Sequence, residues 1–419
     1  MNASDNSGDT TSDKPSAKTE WRAHWTLPLA SMVGFSTIGL QSYGFGAFAG
    51  PVEQAFGWTR AQTMFGVTVA MLLGIFLNMI VGLVVDRFGS RRVALAGIFA
   101  LPGAFALLGT ASGTAANWWL LWVAIAVGVV LVQATVWMGP IAARFDTSRG
   151  LAMAVALSGA PLAAMIQPKL GTWLIAEFGW RHAFMALGAL WIALTLPGTL
   201  LWFRDPPQRS EAAKEAMPQL PGLTFRQGIK TRAFWGLVVS FAAFSFYNMT
   251  ISTNLMLMLG EKGITAAQAG SLFVVLGSVG LFARLSVGWL LDRFPGNLIG
   301  MAAQLLPVAA CLLLLLPAHP SASVLLTVVA LFGLATGAEI DVVLYQATRH
   351  FGLRAFGALF SGIITFGALF SAIGPYAAGW LHDRTGSYNG LLMLVMAAMT
   401  VGALAMAATG RVKRDWGAG

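Results

Sequence analysis

The chain has 419 residues, of which 57% are hydrophobic and only 10% are charged, whereas soluble domains carry about 25% charged residues. This composition excludes a soluble globular protein, and the net charge of +9 does not indicate nucleic-acid binding, because Lys and Arg lie between apolar runs instead of forming a basic stripe. The single cysteine, Cys311, excludes a disulfide framework and a thiolate metal site.

Residues 1–26 are polar and predict a disordered cytoplasmic tail without a cleavable signal. Twelve apolar runs follow, each long enough to cross about 30 Å of hydrocarbon as a helix. A polar stretch with several prolines, 204–232, predicts a cytoplasmic linker, and residues 411–419 predict a second cytoplasmic tail. The approximate limits of the runs are 27–49, 62–85, 93–111, 118–143, 150–175, 183–203, 233–259, 266–291, 297–316, 322–348, 355–379 and 388–409.

The distribution of Lys and Arg predicts the orientation of these spans. Cytoplasmic loops retain positively charged residues, and a cytoplasmic N-terminus places nearly all loop Lys and Arg on that side. Only Arg60, Arg181, Lys262 and Arg384 then fall outside. Both termini are therefore predicted to be cytoplasmic, in a multi-pass protein that we expect in a bacterial inner membrane.

A repeated segment indicates that the chain is a duplication. GLVVDRFG at 82–89, after the second span, recurs as GWLLDRFP at 288–295, a shift of 206 residues (288 − 82). Such self-similarity predicts two pseudo-symmetric six-helix bundles, 27–203 and 233–410, in an all-α membrane protein of twelve transmembrane helices. Two related halves around a central cavity are a known transporter plan, with the substrate site near the midplane.

The segment GLVVDRFGSRR at 82–92 resembles the loop signature of the major facilitator superfamily. The resemblance implies a carrier that works by alternating access, with no enzymatic chemistry, cofactor or metal. A glycine at 82 would permit close helix contact, and the basic residues would hold the loop inside. The resemblance implies a conformational role for Gly82, Asp86, Arg87, Gly89, Arg91 and Arg92, and for Gly288, Asp292 and Arg293 in the second copy.

Two further segments are similar to the monocarboxylate porter branch and its oxalate/formate antiporter relatives. They are RFDTSRGLAMAVALSG at 144–159 and SYGFGAFAGPVEQAFGWTRAQ at 42–62. This resemblance implies a small carboxylate substrate and proton coupling, and leaves an organic-anion exchanger or a drug or metabolite exporter as alternatives. The chain departs from the branch at Gly280, where many members carry an aspartate, and it has no lysine in the first span.

Arg284 lies within the eighth span, about 12 Å from its cytoplasmic end. An arginine at the centre of a membrane helix costs about 2.5–3.5 kcal/mol, so we expect it to face a cavity or an acidic partner. Its guanidinium can bind a carboxylate in bidentate fashion. The alternative is a permanent ion pair with the tenth span.

Glu339 and Asp341 in the tenth span are the only acids deep in any span. Two residues correspond to about 200° around a helix, so both cannot face one cavity directly. Either is a candidate for carrying a proton, with Glu339 nearer the midplane, and the alternative is that one acid only neutralises Arg284.

Several polar and aromatic residues lie in spans that line the cavity of the resembled family. We expect substrate contacts from Arg284 together with Tyr43, Gln133, Trp137, Asn248 and Tyr345. Helix–helix hydrogen bonds are the alternative for each of these residues. The expected partners are a carboxylate, protons and membrane lipid, without nucleic acid, in a monomeric protein.

Overall fold

A computed structural model describes residues 16–205, 221–291, 293–316, 320–352 and 354–410 of the chain. In this part the regular structure is helical. The helices of the first half are α1 Ala17–His24, α2 Thr26–Phe35, α3 Tyr43–Gly46, α4 Ala49–Phe56, α5 Arg60–Phe88, α6 Ser90–Leu107, α7 Ala115–Leu131, α8 Ala134–Arg144, α9 Arg149–Leu157 and α10 Gly159–Trp202. Those of the second half are α11 Phe225–Gly228, α12 Arg232–Glu261, α13 Ala266–Leu291, α14 Gly296–Leu315, α15 Ala322–Phe351, α16 Phe356–Thr385 and α17 Asn389–Ala408.

These helices form twelve membrane spans, as the sequence predicts. Ten segments of the described chain are long and apolar enough to cross a membrane, and one of them, Arg149–Trp202, holds two spans. The chain reverses there at Gly179, whose φ of 73° favours glycine because no Cβ opposes it. The first span, 27–49, is additional, because α2, the 3-10 helix Ser36–Gln41 and α3 divide it into short pieces.

The predicted tail 1–26 contains a helix, which differs from the expectation of disorder. Helix α1 begins after Ser16, and its Glu20 carboxylate accepts hydrogen bonds from the backbone N–H groups of Asp146, Thr147 and Ser148, each at 2.9 Å. This anchor is the physical reason for the order of α1. Residues 1–15, most of the predicted linker (206–220) and the tail 411–419 lie outside the described residues.

The two halves meet through two helix pairs, α5 with α16 and α10 with α13. Between α5 and α16, the Thr68 hydroxyl donates to the Ala372 carbonyl at 2.8 Å, and the rings of Phe65 and Tyr376 lie 5.5 Å apart. These contacts lie toward the end of the molecule where α5 begins and α16 ends. The Lys and Arg distribution assigns that end to the exterior, and we call it the outer end.

The repeated motifs lie at the opposite, inner end of the molecule. A Cβ added at Gly82 or at Gly288 would meet no atom within 4 Å, so the close helix contact expected at Gly82 does not form in this conformation. The contacts of Phe65 and Thr68 with α16 lie instead toward the outer end, where the two halves touch.

Candidate substrate-binding site

Arg284 lies between the two halves and contacts both of them. It is 7% exposed on α13, and its Nε donates to Asp341 Oδ2 on α15 at 3.2 Å. Its Nη1 donates to the carbonyl oxygen of Leu157, in the first half of the chain, at 3.2 Å. Among the described residues no protein acceptor contacts Nη2. One nitrogen of the guanidinium, Nη2, therefore remains for a ligand.

The Leu157 carbonyl is an acceptor because of the local sequence. In an α-helix a carbonyl accepts from the N–H four residues later, but here that residue is Pro161, which has no amide hydrogen. The fifth span is also interrupted at Ser158, between α9 and α10. Sequence analysis missed Leu157, although a proline four residues after a residue in a span signals such a carbonyl.

Asp341 reaches Arg284 because α13 and α15 approach closely at glycines. A Cβ on Gly337 would lie 2.2 Å from the Gly280 carbonyl oxygen, and a Cβ on Gly280 would lie 3.3 Å from the Gly333 carbonyl oxygen. Position 280 is where the resemblance to the monocarboxylate branch implies an aspartate. In this chain a neighbouring helix supplies the carboxylate at Asp341 instead.

Tyr43 and Asn248 are the predicted site residues that the structure brings near Arg284. The Tyr43 hydroxyl interacts with the Asn248 side chain and with the charge of Arg284. The Tyr43 ring packs edge-on against Phe273 of α13, with 6.4 Å between centroids. Asn248 Nδ2 donates to the Thr336 hydroxyl at 3.3 Å. Helices α3, α12, α13 and α15 thus build one polar site between the halves.

Glu339 belongs to a different cluster, inside the second half. Its side chain is fully buried, and Gln304 Nε2 of α14 donates to Glu339 Oε1 at 2.6 Å. Gln304 Nε2 also donates to the carbonyl oxygen of Ser240 on α12 at 3.2 Å and to the Ser240 hydroxyl. Glu339 Oε2 has no hydrogen-bond partner in the described part of the chain. Glu339 therefore faces α12 and α14, whereas Asp341 faces Arg284.

The other predicted substrate contacts lie apart from this site. Trp137 is fully buried, and its indole N–H donates to the Val132 carbonyl at 3.1 Å, which gives it a packing position. Gln133 is half-buried at the start of α8. Tyr345 accepts a hydrogen bond from Arg349 Nε at 3.4 Å. No contact joins these three residues to Arg284 among the described residues, so their role in binding stays a prediction.

The first copy of the repeated motif is fixed to the segment that follows α10. Gly89 has a φ of 83°, and an added Cβ would lie 2.5 Å from Asp205 Oδ2, so only glycine fits there. Asp205 Oδ1 accepts from the backbone N–H of Arg91 at 2.8 Å. Arg144 donates to the carbonyl oxygens of Arg204 and Asp205 at 2.9 and 2.8 Å.

The remaining motif residues lie at the inner end. Asp86, Arg87 and Arg92 are exposed, and the Arg293 guanidinium lies 4.0 Å from the centroid of the Trp289 ring. Asp292 lies outside the described residues. A conformational role for the motif stays a prediction.

Comparison with known proteins gives one family across most of the chain. Residues 31–375 match the model of the Major Facilitator Superfamily. The chain is 25% identical to mouse monocarboxylate transporter 12 over 64% of this chain and 61% of that protein. It is 24% identical to human monocarboxylate transporter 2 over 86% of this chain and 80% of that protein. It is 22% identical to the uncharacterized MFS-type transporter YcxA of Bacillus subtilis over 92% and 94% of the two chains.

Solved structures share the fold. A bacterial homologue of the human lysosomal transporter Spinster, crystallised in an inward-facing and occupied conformation, superimposes with a TM-score of 0.64 at 17% identity. The match covers 94% of each chain.

Proposed function

The chain belongs to the major facilitator superfamily, and we propose that it carries small monocarboxylates across the membrane by alternating access, coupled to protons. The observation that carries the proposal is Arg284, a guanidinium held between the two halves whose Nη2 has no acceptor among the described residues. A guanidinium binds a carboxylate through two parallel hydrogen bonds. The substrate carboxylate would bind Nη2 and take Nη1 from the Leu157 carbonyl, with Tyr43 and Asn248 beside it.

Alternating access requires that the ligand change the contact between the halves. Arg284 Nη1 now donates to the Leu157 carbonyl of the first half at 3.2 Å. A carboxylate bound to the guanidinium competes for that donor, because a charged acceptor forms a stronger hydrogen bond than a neutral carbonyl. Substrate binding would therefore weaken this link between the halves, which allows them to move.

Charge balance supports proton coupling at Asp341. The site pairs one guanidinium with one carboxylate, and a bound monocarboxylate adds a negative charge. Burying an unpaired charge costs several kcal/mol, which uptake of one proton by Asp341 avoids. Glu339 is a less direct candidate, because its contacts are with Gln304 and Ser240 instead of Arg284.

Transport by proteoliposomes tests this function. A panel of labelled carboxylates is offered to wild-type protein with and without an inward proton gradient. We expect gradient-driven accumulation of at least one short monocarboxylate, competition by related monocarboxylates, and no transport of organic cations. Accumulation only against an internal counter-anion, without response to the proton gradient, would instead favour the organic-anion exchanger.

A further inference from the structure

A second charged cluster joins the two halves at the outer end, away from Arg284. Arg60, the first residue of α5, lies at its centre. Its Nε is 3.6 Å from Glu53 Oε2 of α4, and its Nη1 is 3.3 Å from Glu261 Oε1 of α12. Nη1 also donates to the hydroxyl of Tyr388, before α17, at 2.6 Å. The guanidinium therefore connects the first half to two helices of the second.

Asp383 of α16 caps helix α5 from the opposite half. Its Oδ1 accepts from the backbone N–H of Arg60 at 3.1 Å, and its Oδ2 accepts from that of Ala61 at 2.9 Å. The first N–H groups of a helix have no partner within the helix, and its N-terminus attracts negative charge. Because this cap requires the two halves to touch, it forms only when the outer end is closed.

The cluster holds more negative than positive charge. Glu53, Glu261 and Asp383 contribute three carboxylates against the single guanidinium of Arg60, a net charge of −2 when the imidazole of His382 is neutral. His382 Nε2 lies in hydrogen-bond contact with Glu261 Oε1. Glu53 Oε1 and His382 Nδ1 are buried and have no hydrogen-bond partner in the described part of the chain. One proton on Glu53 would reduce this net negative charge.

The cavity beside the cluster has no charged lining residue besides Glu53, Arg60 and Glu261 in the described part of the chain. The cluster borders a cavity of about 450 Å³ between the halves, to which α10 and α13 contribute the uncharged Thr172, Ile175 and Ala266. Two more basic residues, Lys262 and Arg384, lie close to the members of the cluster in the sequence. Lys262 follows Glu261, and the Arg384 guanidinium lies over the Trp380 ring, 4.2 Å from its centroid.

We propose that closure of the outer end takes up a proton at this cluster, on Glu53, so that external acid favours the closed state. The site is separate from Arg284 and Asp341, and the proposal holds whichever substrate is carried. Protons bound outside would then promote the step that exposes the substrate site to the inside.

The direction of the effect follows from Glu53. Burial raises the pKa of Glu53 from its ordinary 4.5 to about 7, with Arg60 opposing and Asp383 and Glu261 adding to the increase. Opening exposes the side chain to water, which returns the pKa toward its ordinary value. At pH values between 4.5 and about 7, Glu53 therefore holds a proton in the closed state and is ionised in the open state. Closure is therefore favoured as pH falls below about 7, and this advantage is lost as pH rises above it.

Pulsed electron–electron resonance on purified full-length protein in lipid nanodiscs, without substrate, tests the proposal. Spin labels on Ala116→Cys of the first half and Ala267→Cys of the second report the outer distance, since both positions are exposed and Cys311 is buried. Binding of one proton changes the ratio of closed to open molecules by at most tenfold per pH unit. We expect the closed fraction to fall between pH 5.5 and 8.5, with a change in the ratio of at least about tenfold.

Matched variants separate a proton site from a structural contact. Glu53→Gln keeps the shape of the protonated acid, so we expect it to stay closed at pH 8.5, whereas a merely structural carboxylate would give a more open protein. Substitution Glu177→Gln, at an exposed outer acid, should leave the pH response unchanged. Asp383→Asn should lengthen the distance at both pH values and so verify that the labels detect opening. A wild-type distance independent of pH, or a full pH response in Glu53→Gln, would overturn the proposal.

Discussion

Glu339 and Asp341 lie two residues apart on α15, yet they face different parts of the molecule. Asp341 contacts Arg284 at the interface between the halves, whereas Glu339 is buried among helices of the second half. The two carboxylates have similar chemistry, and the face of the helix sets their surroundings. The difference teaches that depth in a span does not decide what a carboxylate contacts, and that the face of the helix on which it lies does.

The Arg284–Asp341 pair and the cluster around Glu339 also differ in how a bound substrate would affect them. A carboxylate arriving at Arg284 alters the charge next to Asp341 directly. Glu339 instead contacts neutral groups, Gln304 and Ser240, which hold α12, α14 and α15 together. We therefore expect substitutions at the interface to alter transport, and equivalent substitutions in the interior to alter stability.

The largest effect is expected for Arg284→Gln. The change removes the substrate contact and leaves Asp341 buried without its partner, which costs about 3–5 kcal/mol when one member of a buried pair is lost. Arg284→Lys keeps the charge but loses the planar fork, so substrate affinity should fall about 10- to 100-fold, as expected for charge-assisted bonds of about 1.5–3 kcal/mol. Binding to purified, folded protein is the measurement. Wild-type affinity in Arg284→Lys would reject bidentate recognition.

Asp341→Asn should separate exchange from accumulation. The amide imitates the protonated acid, so the variant should exchange substrate across the membrane but lose accumulation driven by a pH gradient. Proteoliposomes assayed in both modes provide the measurement, with Glu339→Gln as the matched control that should retain both activities. If Glu339→Gln loses accumulation and Asp341→Asn keeps it, the roles of the two acids are reversed.

Gly337→Ala tests whether close helix approach brings the pair at the interface together. The new Cβ would lie 2.2 Å from the Gly280 carbonyl oxygen, and overpacking of this kind costs about 1–3 kcal/mol. We expect a lower melting temperature and weaker substrate binding. Gly74→Ala is the control, because its Cβ meets no atom within 4 Å. Equal stability of the two variants would contradict the close approach.

Glu339→Gln should have a small effect, because glutamine retains the size and a hydrogen-bonding oxygen. Glu339→Ala removes the acceptor from Gln304 and should cost more, about 1–3 kcal/mol for a buried polar group left unsatisfied. Thermal unfolding of both variants in detergent measures the difference. Similar stability of the two would contradict a structural role for this acid.

Glu20 provides a reference carboxylate whose oxygens are all bound. The Ser148 hydroxyl and the backbone N–H groups of Thr147, Asp146 and Ser148 lower the pKa of Glu20 from 4.5 to about 2, against the opposing effect of burial. The stabilisation of α1 by the ionised Glu20 carboxylate is therefore complete above pH 4.5 and is lost as pH falls toward 2. Hydrogen exchange of α1, corrected for intrinsic rates, should show constant protection from pH 8 to 5, and Glu20→Gln should reduce it. Loss of protection already at pH 6 would contradict this assignment.

The sequence predicted the spans because each requires only a long apolar run, and it located Arg284 because a buried guanidinium is conspicuous there. It also indicated that Glu339 and Asp341 face apart. It could not assign Arg284 to Asp341, since that choice depends on how α15 is rotated. The broken first span was missed because apolar composition does not report where a helix is interrupted.

A different reason explains why the sequence did not predict the charged cluster around Arg60 at the outer end. Arg60 and Asp383 are separated by 323 positions, and no local pattern links them. The only sequence signal was that Arg60 and Arg384 lie on the side where few basic residues are expected. Contacts between the halves depend on the conformation of the transporter, which the order of residues does not specify.

Proton uptake on substrate binding tests the central claim most directly. Isothermal titration of purified protein with a transported monocarboxylate, in buffers of different ionisation enthalpy, counts the protons taken up for each molecule bound. The assignment of Arg284 to the substrate and Asp341 to the proton predicts about one proton in the wild type and in Glu339→Gln near neutral pH, and none in Asp341→Asn, which still binds. Unchanged proton uptake in Asp341→Asn, or its loss in Glu339→Gln, would contradict it.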